Sequence, residues 1–264
     1  MTEFKSYAPG TFCWVDLATT DAPAAKKFYA ELFGWGTTDV PTGESSTYTM
    51  FEKGGNSVCG LYQMDAAMQQ QGYPPYWLSH ISVQNVDDST EKARTLGGIV
   101  LQAPCDVMES GRMSLIQDPT GAVVSLWQPK QHIGAGLANE PATFCWNELQ
   151  TKQLEAATGF YTQLFGWTTR KSTNALGGDY IEFLQGERSA AGMLEIQADW
   201  GEVPPNWVVY FAVTNCDATL EKAKAIGGHV DMAPIDLEDV GRFAIIQDPQ
   251  GAYFTVIQLQ EGVN

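Results

Sequence analysis

Two acids stand where their neighbours argue against them. Asp16 lies in the apolar run FCWVDLA and Glu148 in FCWNELQ. A carboxylate inside such a run is costly to bury unless it is paired, hydrogen-bonded or reached by solvent. Each acid follows a tryptophan by two positions, Trp14 and Trp146, and alternate residues of a strand share one face. An indole beside a carboxylate describes either the floor of a ligand pocket or a packed core whose acid is salt-bridged. Arg112 and Arg242, each between a glycine and a strand-like run, are candidate partners for the acids or anchors for a ligand's carboxylate. Of the three histidines, His80 shares its strand face with Ser82, and Ser125 similarly shares a face with Trp127. His132 falls in a connecting stretch and His229 at a strand start, where solvation is expected. The five cysteines, Cys13, Cys59, Cys105, Cys145 and Cys216, have no C-x-x-C spacing and no local histidine partner. That argues against a zinc knot, a disulfide frame or a thiol nucleophile, and for a reducing compartment.

The elements that must position these residues occur twice. Residues 11–37 match 143–169 at an offset of 132, with 15 of 27 positions identical. Further on the offset is 130: GRMSLIQDPTGA (111–122) recurs as GRFAIIQDPQGA (241–252). A period this long marks duplication of a whole domain, not a solenoid. The boundaries expected are a first domain over 1–130, a linker over 131–142 and a second domain over 143–264. Within the first half, 11–17 reads as a buried strand, followed by a helix capped at Asp21, with Pro23 in its first turn and Gly34 at its end. Strands are expected near 46–52 and 57–64, then a loop from Gln69 to Pro75. A second round follows: strand 77–84, helix 88–96 closed by Gly97-Gly98, and strands near 99–103, 112–117 and 122–128. DP-x-G reads as a tight turn, Pro fixing φ and Gly allowing a positive one. The class implied is α+β, with β-α-β-β-β modules twice per half, four modules in two tandem domains, and helices on one side of a curved sheet. Facing modules then leave a concave trough.

Composition narrows the partners. The 264 residues carry 15 basic and 31 acidic side chains, net −16, without a basic cluster to follow phosphates. Nucleic acid and anionic membranes are therefore disfavoured, and no apolar run is long enough to span a bilayer. The hydrophobic fraction of 44% supplies two cores, and the N-terminus lacks a secretory layout. A cytoplasmic monomer or homodimer that takes a small-molecule ligand is the expectation.

The ordered runs WVDLATTDAPAAKKFYAELFGW, SHISVQNVDDSTEKARTLGG and GRMSLIQDPTGAVVSLWQ resemble the vicinal oxygen chelate superfamily, which contains glyoxalase I, bleomycin-resistance proteins and extradiol dioxygenases. The resemblance covers nearly the whole chain, once per half. It implies paired modules with substrate in the trough of each half and a divalent metal held by His or Gln from two first strands and Glu from a last strand. Registered on that pattern, the ligand positions fall on Trp14, His80 and Ser125 in the first half and Trp146, Tyr210 and Thr255 in the second. Only His80 is a good ligand; an indole has no lone pair to give and neutral hydroxyls are weak. No cofactor is therefore expected, although a shifted metal set using Asp16 and His80 stays open.

Three functions remain. One is a glyoxalase-like lyase or isomerase acting on a small carbonyl compound without the metal triad. Asp16 with His80, and Glu148 with Tyr210, would move the proton, while Trp14, Ser82, Ser125, Trp127, Trp146 and Thr255 would line the ligand sites. The second is a protein of the bleomycin-resistance type that grips a flat drug or metabolite without chemistry. The third is a metal-dependent dioxygenase or lyase with a shifted ligand set.

Overall fold

In the computed structural model, which describes residues 3–43, 46–173 and 178–260, each half builds one eight-stranded sheet. The first contains β1 (Phe12–Thr19), α1 (Ala22–Phe33), β2 (Gly36–Pro41), β3 (Thr47–Lys53), β4 (Asn56–Gln63), α2 (Ala66–Gln70), β5 (Tyr76–Ser82), α3 (Val86–Thr95), β6 (Ile99–Val107), β7 (Gly111–Gln117) and β8 (Val123–Pro129). The second contains β9 (Phe144–Thr151), α4 (Leu154–Phe165), β10 (Thr168–Thr173), β11 (Asp179–Gln185), β12 (Arg188–Glu195), β13 (Asn206–Ala212), α5 (Cys216–Ala225), β14 (His229–Leu237), β15 (Gly241–Gln247) and β16 (Tyr253–Leu259). The sheet orders are β2-β3-β4-β1-β5-β8-β7-β6 and β10-β11-β12-β9-β13-β16-β15-β14. Only β1–β4, β5–β8 and their second-half equivalents are parallel; the other pairs are antiparallel. This is the expected α+β arrangement of paired modules.

Local chemistry sets the helix ends. The Asp21 carboxylate accepts the Ala24 N–H at 3.1 Å, and Gly34 at φ 74° closes α1 in the left-handed region. α3 starts two residues before its expected position, because Asn85 and not an aspartate is the cap, accepting from Asp87 and Asp88. Two strands were not anticipated: β2 and β10 are exposed at every position, so no apolar alternation marks them. The expected loop after Gln69 also hides the short helix α2, capped by Asp65.

Each hydrophobic core draws on both halves. The buried face of α1 places Phe28 against Phe254 and Phe33 against Phe211, with centroids 6.5 and 5.2 Å apart. The DP-x-G turns complete the interlock. Asp118 Oδ1 accepts from the backbone of Thr120, Gly121 and Ala122, and its Oδ2 accepts from Tyr161 of the other half at 2.9 Å. Asp248 is held by its own turn in the same way and accepts from Tyr29 at 3.0 Å. Each turn is therefore also a buried cross-half anchor.

Residues 131–142 are no free tether. Ala135 donates to the Cys13 carbonyl, Gly136 to that of Ser57, and Leu137 and Ala138 are buried. Gly134 has φ 112°, and a Cβ there would meet the Cys13 carbonyl oxygen at 2.3 Å, so the segment lies flush on β1.

Candidate functional site

β1, β5 and β8 lie side by side, and their register aligns Trp14 with His80 and His80 with Ser125. β9, β13 and β16 align Trp146 with Tyr210 and Tyr210 with Thr255. The positions singled out from sequence therefore form one row across each sheet. Asp16 and Glu148 stand two residues further along, on the same face. Asp16 is 6% exposed, His80 4% and Glu148 5%.

In the first half the acid is held by a partner that sequence reading missed. Tyr48, on β3, donates its hydroxyl to Asp16 Oδ2 at 3.1 Å and accepts from Trp14 Nε1 at 2.8 Å. The ring tip fills the space beside Gly60, where an added Cβ would meet Tyr48 Oη at 1.9 Å. Burial, and then the Asp16 charge, push the Tyr48 phenol pKa well above its ordinary value, so it remains a donor. His80 Nε2 lies 3.2 Å from Asp16 Oδ2, at ion-pair distance but off the direction of a hydrogen bond. Asp16 Oδ1 and His80 Nε2 are buried without hydrogen-bond partners. Such groups cost free energy until something satisfies them.

The second half has the same frame with a different outcome. Tyr180 donates to Glu148 Oε2 at 3.0 Å and accepts from Trp146 Nε1 at 3.2 Å. Gly192 makes room for that phenol, as Gly60 does for Tyr48. Tyr210, in the place of His80, donates to Glu148 Oε1 at 2.7 Å. Both carboxylate oxygens are thus satisfied. Burial raises the Glu148 pKa, opposed by the two phenol bonds. Thr255 Oγ1 is buried and unpartnered.

Several other expectations shift. Ser82 donates to the Tyr7 carbonyl at 3.4 Å and so is turned to the N-terminal segment. Trp127 stands 6.3 Å from the His80 ring, edge-on, and donates to the His132 carbonyl at 3.0 Å. Arg112 pairs with Asp87 at 2.9 Å and Arg242 with Asp217 and Asp236, so neither arginine serves Asp16 or Glu148. Through Asp87 and Asp217 each arginine binds the first turn of the helix that follows β5 or β13, while Asp236 lies on β14. His132 is only half-buried, but its Nε2 is shielded from solvent. The chain after β8 stays pinned by backbone bonds from Lys130 and His132 to Ser110, which bring the ring edge-on to Trp14 at 4.6 Å. Burial, then the nearby His80, push the His132 pKa down to about 4, while Asp16 pulls the other way. His229 is exposed, as anticipated. Burial pushes the Cys145 thiol up to about 12 and raises Cys13 as well, which suits inert thiols.

The residues present do not fit the metal site implied by the resemblance. Trp14 and Trp146 occupy the first-strand positions with Nε1 committed as a donor, and hydroxyls stand where Glu is required. Among the described residues no group of three or more His, Cys, Asp or Glu side chains is arranged to hold a metal ion.

Comparison with known proteins gives the class. The Glyoxalase/Bleomycin resistance protein/Dioxygenase superfamily matches at residues 11–126 and 143–256, and the chain belongs to it. It is 43% identical, over 98% of both chains, to "Putative glyoxylase CFP32" of Mycobacterium tuberculosis. It is 35% identical to the anthracycline biosynthesis protein DnrV of Streptomyces peucetius, over 97% of this chain and 96% of that one. The fold is shared with the Mn(II)-bound glyoxalase from Novosphingobium aromaticivorans (TM-score 0.67, 15% identity, 97% and 84% of the chains covered). It is also shared with the 2,3-dioxygenase LapB from Pseudomonas sp. KL28 (TM-score 0.64, 12% identity, 94% and 91% covered).

Proposed function

We propose that this chain binds a small carbonyl or aromatic compound in the trough of its first half and moves a proton on it without a metal, as a glyoxalase-like lyase or isomerase. One observation carries the reading: Asp16 and His80 lie in buried contact at 3.2 Å, yet Asp16 Oδ1 and His80 Nε2 have no hydrogen-bond partners. A carboxylate beside an imidazole is a general base whose conjugate acid the carboxylate stabilises. His80 Nε2 takes the proton from a hydroxyl-bearing carbon next to the carbonyl and returns it to the carbonyl carbon, while the hydroxyl proton passes to the former carbonyl oxygen, so the step is a net isomerisation. Trp14 and Trp127 supply aromatic walls for a flat substrate. The relatives' names support both substrate types, glyoxylase for a carbonyl compound and anthracycline biosynthesis for an aromatic one.

The second half favours binding without chemistry, because both oxygens of Glu148 are already taken by Tyr180 and Tyr210. Trp146 and Thr255 would line that trough.

The test is turnover of methylglyoxal, with and without a thiol, by wild type and His80→Ala, alongside elemental analysis of protein purified without added metal. Turnover in metal-free wild type that His80→Ala abolishes is the expected result. Activity that tracks a stoichiometric metal, or survives the substitution, overturns the reading.

A further inference from the structure

The stretch between the two halves supplies a polar atom that the superfamily pattern does not provide for. His132 Nε2 is buried with no hydrogen-bond partner, as are Asp16 Oδ1 and His80 Nε2 in the same half. Its backbone is fixed from two sides: the N–H donates to the Ser110 carbonyl at 2.9 Å, and the carbonyl accepts from Trp127 Nε1 at 3.0 Å. Trp14, 4.6 Å from His132, and Trp127, 6.0 Å from it, are also the aromatic neighbours of the Asp16–His80 pair. Three unsatisfied polar groups around two indoles are more than packing requires, since each costs free energy in the empty state.

We propose that His132 is a specificity-determining ligand contact, and that with Asp16 and His80 it makes a first-half site for a neutral hydroxy-carbonyl or phenolic compound. This inference rests on the reading of the first trough given above and adds the residue and the ligand class. Asp16 Oδ1 only accepts, so the ligand presents a hydroxyl proton to it. His132 stays uncharged near neutrality, so it does not draw an anion, and the Asp16 carboxylate repels one. The ring nitrogens are left for a carbonyl or a second hydroxyl.

Among the described residues the second half has no counterpart. Tyr210 replaces His80 and satisfies the acid, and the repeat offset of 130 puts Gly262 opposite His132 in the sequence. The duplicated troughs have thus diverged, one keeping open polar valences and the other closing them internally.

Protein labelled with nitrogen-15 in its histidines tests this, with hydroxyacetone and catechol as neutral probes and benzoate as the anionic control. At least one neutral probe is expected to shift the ring signals of His80 and His132 together, at one half-saturation, while exposed His229 stays still and benzoate does nothing. His132→Phe should then weaken that probe about tenfold, the loss of one hydrogen bond, with partial recovery in His132→Gln. A shift at His80 without His132 overturns this inference and leaves the proton-transfer reading standing. In a second sample labelled with carbon-13 in its tyrosines, Tyr180 or Tyr210 signals responding at lower probe concentration overturn the assignment to the first half. No shift at either histidine with either neutral probe sinks both readings.

Discussion

Gly60→Ala is the sharpest probe of how the buried Asp16 cluster is held. An added Cβ would lie 1.9 Å from Tyr48 Oη and 2.3 Å from its Cζ, distances no side chain tolerates. The backbone of β4 is not the obstacle, since Gly60 is absent from the positive-φ residues. The Tyr48 ring must therefore leave, breaking its bond to Asp16 and the one it accepts from Trp14. A hydrogen bond to a charged group is worth about 1.5–3 kcal/mol and a neutral one about 1, so a loss of about 3 kcal/mol is expected. In a Tyr48→Ala background the obstruction is gone. There the same Gly60→Ala change should stabilise by about 0.5–1 kcal/mol, because alanine restricts the unfolded strand more than glycine does. Denaturant unfolding of the four proteins, followed by tryptophan fluorescence, gives the coupling. Gly60→Ala costing under about 0.5 kcal/mol in wild type, or costing the same in both backgrounds, would refute the argument.

Further outcomes follow from the same network. Glu148→Gln should gain stability over wild type as pH rises above the ordinary glutamate range. The folded pKa is raised, so the wild type loses stability through that window at up to about 1.4 kcal/mol per pH unit; parallel pH–stability curves would contradict this. His132 has the opposite sign. Its folded pKa is depressed from 6.5 to about 4, so wild type should lose up to about 3 kcal/mol as pH falls across that interval. His132→Phe should flatten that part of the thermal-melt profile. Tyr29→Phe leaves Asp248 Oδ2 without its cross-half donor and should cost about 2 kcal/mol in denaturant unfolding; an unchanged midpoint would show that the anchor carries no energy.

Much of this site could be read from the chain itself, for identifiable reasons. Strand parity and the repeat suffice to put Trp14 and Asp16 on one face, because a strand buried on both sides tolerates no slip of register, whereas His80, on the neighbouring β5, joins their row only through the family register. β2 and β10 escaped because edge strands with polar, exposed residues carry no apolar rhythm. Tyr48 lies on a neighbouring strand, beyond what parity within one strand reports. Its trace was nonetheless present: Tyr48 and Gly60 recur as Tyr180 and Gly192 at the same offset of 132 that relates Asp16 to Glu148. A bulky phenol repeated together with the glycine that admits it is a packing pair visible in a duplicated chain. His132 left no such mark. It sits outside the repeat, and its burial comes from backbone bonds to the turn at Ser110 that no side-chain pattern announces.

The central claim is that the Asp16–His80 pair exchanges a proton on carbon unaided by a cation. Deuterium incorporation from heavy water into hydroxyacetone, followed by proton NMR with chelator-treated protein, tests it most directly. Wild type should wash out the signal of the carbon-bound proton next to the carbonyl, and His80→Ala and Asp16→Asn should not. Exchange that is absent in wild type, or that appears only after a divalent metal is restored, would contradict the account.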